Sequence, residues 1–494
     1  MSLSAETKYS LVVKKDCPTC ALIEPVIAEL SEQLGNNLTV YVQDDPTFPS
    51  VIAEPTDDCN LEFSYKNHIE IVPTLIKVDS EVEDRIFGWD KKQWREFTKF
   101  NDLGDGLVDF KPGCGSKTQD PGMDEVLALR FDSDILQARQ VQLAESEDYM
   151  EACYERGWTD GLPVVPPTKL RVMRMLAGSD RAADEIIGDI PPDYRPCTVE
   201  KVAINAVLAG AKPEYFPTIL AAAEAALLDK FCMHGLLCTT YFSSPVVIVN
   251  GPSSRHIGMN SGVNALGQGN RANATIGRSL QLLIRNVGGG VPGGIDRATM
   301  GNPGKYTYCF SEDESDHDWP TLAEDRGFSR DDSVVSLFAG DGLTPILDQQ
   351  SRTAESLAKS IAASLRGVAN IKLYGMADAI LVICPEHRRL LKDCGWSKAK
   401  LKAALFDELM TPGSAIVRGA DGMAEGMPAK FKDKLLNKFR DDGLHIVTTG
   451  GTAGMFSAII GGWVASGERG SQLVSKTYST SDLTSDLTTG DTSE

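Results

Sequence analysis

The sequence predicts an α/β protein: an N-terminal α/β unit organised around a dithiol, then a large α/β region with a mostly parallel sheet. Two stretches carry that expectation. Residues 9–34 run from an apolar strand signal through Cys17-Pro18-Thr19-Cys20 into an apolar stripe at helical spacing. Residues 333–478 alternate strand and helix signals, the pattern of a parallel sheet with crossover helices. Between them, Pro245 to Val249 is apolar throughout, as in a strand covered on both faces.

The alternation from Tyr9 to Val13 reads as a strand, and Leu22, Val26, Ile27, Leu30 and Leu34 form the buried stripe of the helix after it. Asp16 suits an N-cap, and Pro18 suits a first helical turn. A thiol at such a helix start faces unpaired N–H groups and the positive end of the dipole. Both favour thiolate, enough to bring a cysteine from about 8.5 to roughly 3.5–7.5. A second thiol one turn further on can attack the first and resolve a mixed disulfide. The competing reading, half of a zinc site, needs a second cysteine pair nearby, and Cys59 stands alone.

This stretch resembles the thioredoxin fold. So do Ile71-Val72-Pro73-Thr74-Leu75, similar to the segment in which a cis-proline opens a strand, and Gly88 to Phe97, similar to the final turn and helix. The resemblance covers residues 7–102. It implies Cys17 as exposed nucleophile, Cys20 as resolving thiol, a redox-active Cys17–Cys20 disulfide, and Pro73 as the cis residue that shapes the partner groove. The chain departs from thioredoxin itself in having Asp16 before the motif, Pro18-Thr19 inside it, and a long acidic segment before Pro73.

A formal net charge of −20 argues against nucleic acid or an anionic membrane as main partner. No segment is apolar for long enough to span a bilayer. Residues 1–10 have neither the basic nor the apolar part of a signal peptide. Eleven scattered cysteines read as reduced thiols in a cytoplasm. Homo-oligomerisation is left open.

The chain divides, on this reading, into a thioredoxin-like domain (1–103), a linker and helical connector (104–150), a Gly/Asn/Arg-rich substrate region (151–330), an α/β region (331–478) and a disordered tail (479–494). Cys114 lies in the Gly-rich linker, between Gly113 and Gly115 and within reach of a Cys17 thiolate. A charged helical stretch is expected over 124–154, a rigid Gly/Pro loop over 155–168, and helices over 169–176, after Thr198, and over 209–228. Beyond Ser333, strands are expected at 334–338, 371–373, 379–384, 415–417 and 444–448. Helices are expected at 354–365, 385–392, 397–408, 428–439 and 453–464.

Residues 258–305 interleave glycines with Asn270, Arg271, Asn273, Arg278 and Arg297. Glycine backbone beside Asn and Arg can bring N–H groups and guanidinium forks onto a carboxylate or phosphate. Gly450, Gly451 and Thr452 follow an expected strand and add a second anion-binding candidate. Cys232, His234 and Cys238 have spacings that a zinc or iron ion could use, and buried free cysteines are the plainer alternative. His234 or His256 could move protons. Cys309, in an aromatic strand, is either an electron acceptor or a core thiol. Neither G-x-S-x-G nor G-x-x-x-x-G-K-[ST] occurs.

Residues 151–478 resemble bacterial sequences that carry the Gly157–Thr168 segment and the Asn270–Arg278 segment, related to chains with thiol or selenocysteine domains of U-G-S-C type. That resemblance implies a module working beside a thiol or selenol electron donor. Cys114-Gly115-Ser116 echoes part of the motif. Together these readings predict a cytoplasmic thiol-dependent oxidoreductase: Cys17 and Cys20 supply electrons to a fused domain that binds a small anionic substrate, and an external thiol reductant resets the pair. The alternative is a lyase or hydrolase, with or without a metal, using the dithiol unit for docking or sensing.

Overall fold

Three consecutive aliphatic residues, Leu11, Val12 and Val13, are buried in β1 (Lys8–Val13) and make it the centre of the first sheet. The computed structural model describes residues 7–79, 82–132, 135–144, 146–416, 428–463 and 470–479. It divides into two units, Met1–Ile135 and Leu136–Glu494.

In the first unit, α1 (Pro18–Leu22) and α2 (Glu24–Leu34) follow β1, and Val26, Ile27, Leu30 and Leu34 are buried as their spacing requires. β2 (Leu38–Val42) lies parallel to β1, and β3 (Thr56–Asp57) parallel to β2. After α3 (Glu62–Lys66) and β4 (Ile71–Val72) come β5 (Thr74–Asp79) and β6 (Val82–Phe87). These two pair antiparallel, and β5 is antiparallel to β1, giving the order β3-β2-β1-β5-β6. β7 (Trp89–Asp90) leads into α4 (Lys91–Thr98), capped by the Asp90 side chain accepting from the Gln93 N–H. Trp89 and Trp94 meet edge to face at 5.3 Å in the core.

The expected linker is part of this unit. β8 (Phe110–Lys111) pairs with β7, β9 (Cys114–Gly115) pairs with β4, and α5 (Met123–Phe131) follows. Trp89 Nε1 donates to the Val108 carbonyl at 2.7 Å, and the Lys91 N–H to Asp109 at 2.8 Å. Glycine content suggested a tether; instead the glycines permit close packing. A Cβ on Gly113 would sit 2.4 Å from Ile71 Cγ2 and 2.9 Å from the Val72 oxygen.

The second unit opens with α6 (Tyr149–Glu155), α7 (Lys169–Leu176), the hairpin β10 (Ile186–Ile190) and β11 (Arg195–Thr198), and α8 (Val199–Ala209), capped by Thr198. α9 (Phe216–Ala226), α10 (Met233–Cys238), β12 (Ser244–Asn250), α11 (Pro252–His256), α12 (Arg271–Asn286), β13 (Cys309–Ser311) and α13 (Leu322–Asp325) come next. The chain then forms β14 (Ser333–Leu347), α14 (Ala354–Leu365), β15 (Ala377–Ile383), α15 (Pro385–Asp393) and α16 (Lys398–Glu408). It ends through the small hairpin of β16 (Thr411–Pro412) and β17 (Leu435–Leu436) around α17 (Gly413–Ile416), then β18 (Phe439–Thr448), β19 (Phe456–Gly462) and β20 (Val474–Tyr478). Seven strands make one sheet, in the order β13-β12-β14-β19-β15-β18, with β20 on β14. The 15-residue β14 holds β20 along its first half and β19 along its second. Val247 and Val249 face a core shared with α8, α9 and α12, whereas Val246 and Ile248 face Phe310 and Ile460 on the other side.

The sheet is mixed rather than mostly parallel. Among its described pairings only β12–β13 and β15–β18 are parallel, and four are antiparallel. Fully apolar strands report that both faces are covered; they do not report direction. The expected helix at 453–464 is the strand β19, because a short apolar run has no period that separates a buried helix from a buried strand. Residues 428–439 form a turn, β17 and the start of β18. Residues 371–373 are not a strand, and Ala415 and Ile416 end a short helix. The helical stretch 124–154 holds two helices, α5 and α6, and residues 136–144 between them are not helical. The 209–228 helix starts only at Phe216, after a turn at Pro213. The second unit, Leu136–Glu494, takes in both the expected substrate region and the expected α/β region. The expected tail lies outside the described residues from 480 onward.

Candidate active site

Cys17 is the N-cap of α1, in place of the expected Asp16. Its backbone is extended (φ −147°, ψ 111°), its Sγ accepts from the Cys20 N–H at 3.3 Å, and Pro18 fills the first helical position. The Asp44 carboxylate accepts the Lys15 and Asp16 N–H groups and fixes the turn ahead of the motif. The Cys17 thiol also reaches the Val72 carbonyl at 3.7 Å, next to the cis Val72–Pro73 peptide. The Gly88 N–H donates to the Pro73 carbonyl at 2.8 Å.

The two thiols are held in opposite states. Hydrogen bonding from the Cys20 thiol draws Cys17 down to about 5; burial opposes this, and the Cys114 thiol and the Cys20 and Thr19 N–H groups add to it. Burial pushes Cys20 far up, and its hydrogen bond to Cys17 reinforces the shift. The surroundings favour thiolate at one sulfur and thiol at its neighbour.

Cys17 is not the exposed thiol that the thioredoxin resemblance implies. It is 1 % exposed, because the chain's own β9 lies over it. β9 runs antiparallel to β4 with Cys114 opposite Val72 and Gly115 opposite Ile71. Residues of the motif clamp the strand: Thr19 Oγ1 donates to the Pro112 carbonyl at 2.6 Å, and Lys111 Nζ to the Pro18 carbonyl at 3.0 Å. From the preceding loop, Lys14 Nζ donates to the Gly115 carbonyl at 2.7 Å. Cys114 lies beside Cys17 over the β4 edge, and burial and Cys17 together raise the Cys114 thiol. The sequence signal for this contact was present, a cysteine between two glycines within reach of Cys17. Its place in a strand was not legible.

No protein-family model and no curated protein matches the chain.

In the second unit, the expected anion site is largely used for structure. Arg278 makes a two-point ion pair with Asp160 at 2.7–2.8 Å and donates to the Leu162 and Pro163 carbonyls, tying α12 to the Gly/Pro loop. Arg271 Nε donates to the Gly210 carbonyl. Asn270 caps α12, and buried Asn273 is satisfied by Asn260 and Ala265. Arg297 is exposed. Glycine spacing did bring the two candidate loops together: Thr449 Oγ1 and the Gly450 N–H both donate to Ser261, and Gly451 lies against Val263. Beside them a cleft of about 510 Å³ is lined by Gly450, Thr452, Arg388, Arg389 and Lys392. Sequence reading missed a larger cavity of about 570 Å³, where Trp158, Pro166 and Ile204 give an apolar floor and Arg139, Lys169 and Lys201 supply charge.

His234 is exposed at 3.4 Å from Cys238 and stacks on Tyr194. Cys232 does not complete a ligand set with them: among the described residues no group of three or more His, Cys, Asp or Glu is placed to hold a metal. Cys309 is buried under α12, and desolvation pushes its thiol up. Cys384 and His387 form a buried polar pair. Cys384 caps α15, and His387 Nδ1 meets Ser457 Oγ at 2.7 Å. Burial raises the Cys384 thiol, yet hydrogen bonding with His387 leaves it net lowered. No helix among the described residues is long and apolar enough to cross a membrane.

Proposed function

We propose that the chain is a thiol–disulfide oxidoreductase whose first unit has a thioredoxin fold. One observation carries the reading. A cysteine at a helix start has its thiolate supported by four groups, and a protonated cysteine lies one turn behind it. The strand order, the mixed pairing and the cis-proline beside Cys17 support it further. Cys17 thiolate attacks a disulfide, one sulfur leaves as a thiol, and Cys20 attacks Cys17 to release the other and close the Cys17–Cys20 disulfide. An external dithiol returns the pair to its reduced form. All eleven cysteines are free thiols, which suits a reducing compartment such as the cytoplasm. The cavity at Trp158, with its apolar floor and cationic side chains, would take an organic anion as the substrate of the second unit.

Equilibration of the full chain in glutathione buffers of stepped potential tests this. Cys17 and Cys20 should oxidise together, with a mass loss of two hydrogens that Cys17→Ser abolishes. Persistence of both thiols under oxidising buffer, or an unchanged Cys17→Ser profile, would remove the reading.

A further inference from the structure

Building on that dithiol reading, we propose that Cys114 is the third sulfur of the same reaction, the port through which buried Cys17 and Cys20 exchange electrons with disulfides outside the chain. The argument starts from access. Cys17 is 1 % exposed and Cys20 0 %, so an external disulfide has no line of approach to either sulfur while β9 is in place. Cys114 is only partly covered.

The covering strand is placed as a bound peptide would be. It adds antiparallel to the edge of β4, main chain to main chain, which is the standard way an extended peptide is recognised by a strand. Pro112 and Gly115 accept hydrogen bonds from Thr19 and Lys14, on or beside the Cys17 turn. The residue opposite Val72, whose carbonyl is in contact with the Cys17 thiol, is Cys114. A cover alone would need no sulfur there. Gly113 allows the close approach, since any side chain at that position would meet Ile71 and the Val72 oxygen.

The steps balance. Cys114 first gives its proton to water and then, as thiolate, attacks a low-molecular-weight disulfide R–S–S–R; one R–S⁻ leaves and is protonated, and Cys114 carries S–R. Cys17 thiolate attacks Sγ of Cys114, the second R–S⁻ leaves and is protonated, and a Cys17–Cys114 disulfide forms. Cys20 gives up its proton and attacks Sγ of Cys17. The Cys17–Cys20 disulfide closes, and Cys114 leaves as thiolate. The external disulfide has gained two electrons, the Cys17–Cys20 pair has lost two, and Cys114 is unchanged.

The test uses the reduced full chain, oxidised glutathione and peptide mapping without reduction. In Cys20→Ser the last step is blocked, and a Cys17–Cys114 cross-link should be the main product. In Cys114→Ser, and in Cys114→Ala as a second variant, closure of Cys17–Cys20 should slow by roughly tenfold or more. Glutathione held on Cys17 of Cys20→Ser with Cys114 free would overturn the proposal. So would either Cys114 variant oxidising as fast as the unaltered chain. In both cases the dithiol reading survives; only failure of the unaltered chain to close Cys17–Cys20 takes both readings down.

Discussion

At the scale of single residues, Cys17 and Cys309 show how surroundings decide what a thiol can do. Both are buried. Cys17 accepts hydrogen bonds that favour its charged form, whereas at Cys309 desolvation dominates and the thiol stays protonated. The sign of the consequence is definite. The folded value of Cys17, about 5, lies below the ordinary thiol value. Its contribution to the stability of the reduced protein is therefore complete above that ordinary value and is lost as pH falls through about 5. Thiolate absorbance of the reduced chain should titrate with a midpoint near 5, and Cys20→Ala should move the midpoint upward by removing the largest support. A midpoint unchanged by Cys20→Ala would show that the Cys114 thiol and the backbone N–H groups hold the thiolate without Cys20. The places of Cys17, Cys20 and Pro73 were legible because they depend on local chain: a helix start and a strand start. Arg278 was not. Its composition suggested an anion site, and its fork is occupied by Asp160.

Among elements, the same Arg278 joins α12 to the loop at 155–168, which has no regular hydrogen bonding of its own. Its guanidinium holds Asp160 and two carbonyls at once, and both ion-pair partners are largely buried. A lysine offers a point charge in place of a planar fork. Arg278→Lys should cost about 2–3 kcal/mol, read as a lowered denaturant midpoint with unchanged slope. A loss below about 0.5 kcal/mol would mean that the loop is held by Pro packing instead. Helices with caps and a clear period, such as α7, α8, α14 and α16, were readable to within a residue or two. β19 was not, since Phe456 to Gly462 has the composition of a buried segment and no period to choose between helix and strand.

On the scale of the whole molecule, the boundary of the first unit matters most. A cut at residue 103 follows the thioredoxin resemblance, but the unit extends to Ile135. Residues 108–118 satisfy Trp89 Nε1, the Lys91 N–H and both ends of the Gln43 amide. A fragment of residues 1–103 should be less stable than one of residues 1–135 by at least about 3 kcal/mol, at about 1 kcal/mol per lost hydrogen bond. Its Cys17 should also alkylate faster. Equal denaturation midpoints for the two fragments would show that the later strands are an accessory.

The sequence by itself determined the dithiol turn, the helix behind it, the cis-proline strand start and the capped helices of the second unit. Each is set by residues within a few positions of one another. Only the tertiary structure decided which strands run parallel, that Arg278 belongs to Asp160, and that Cys114 lies on Cys17. Those outcomes depend on which distant segments meet, and strand direction and register leave no mark in composition or period.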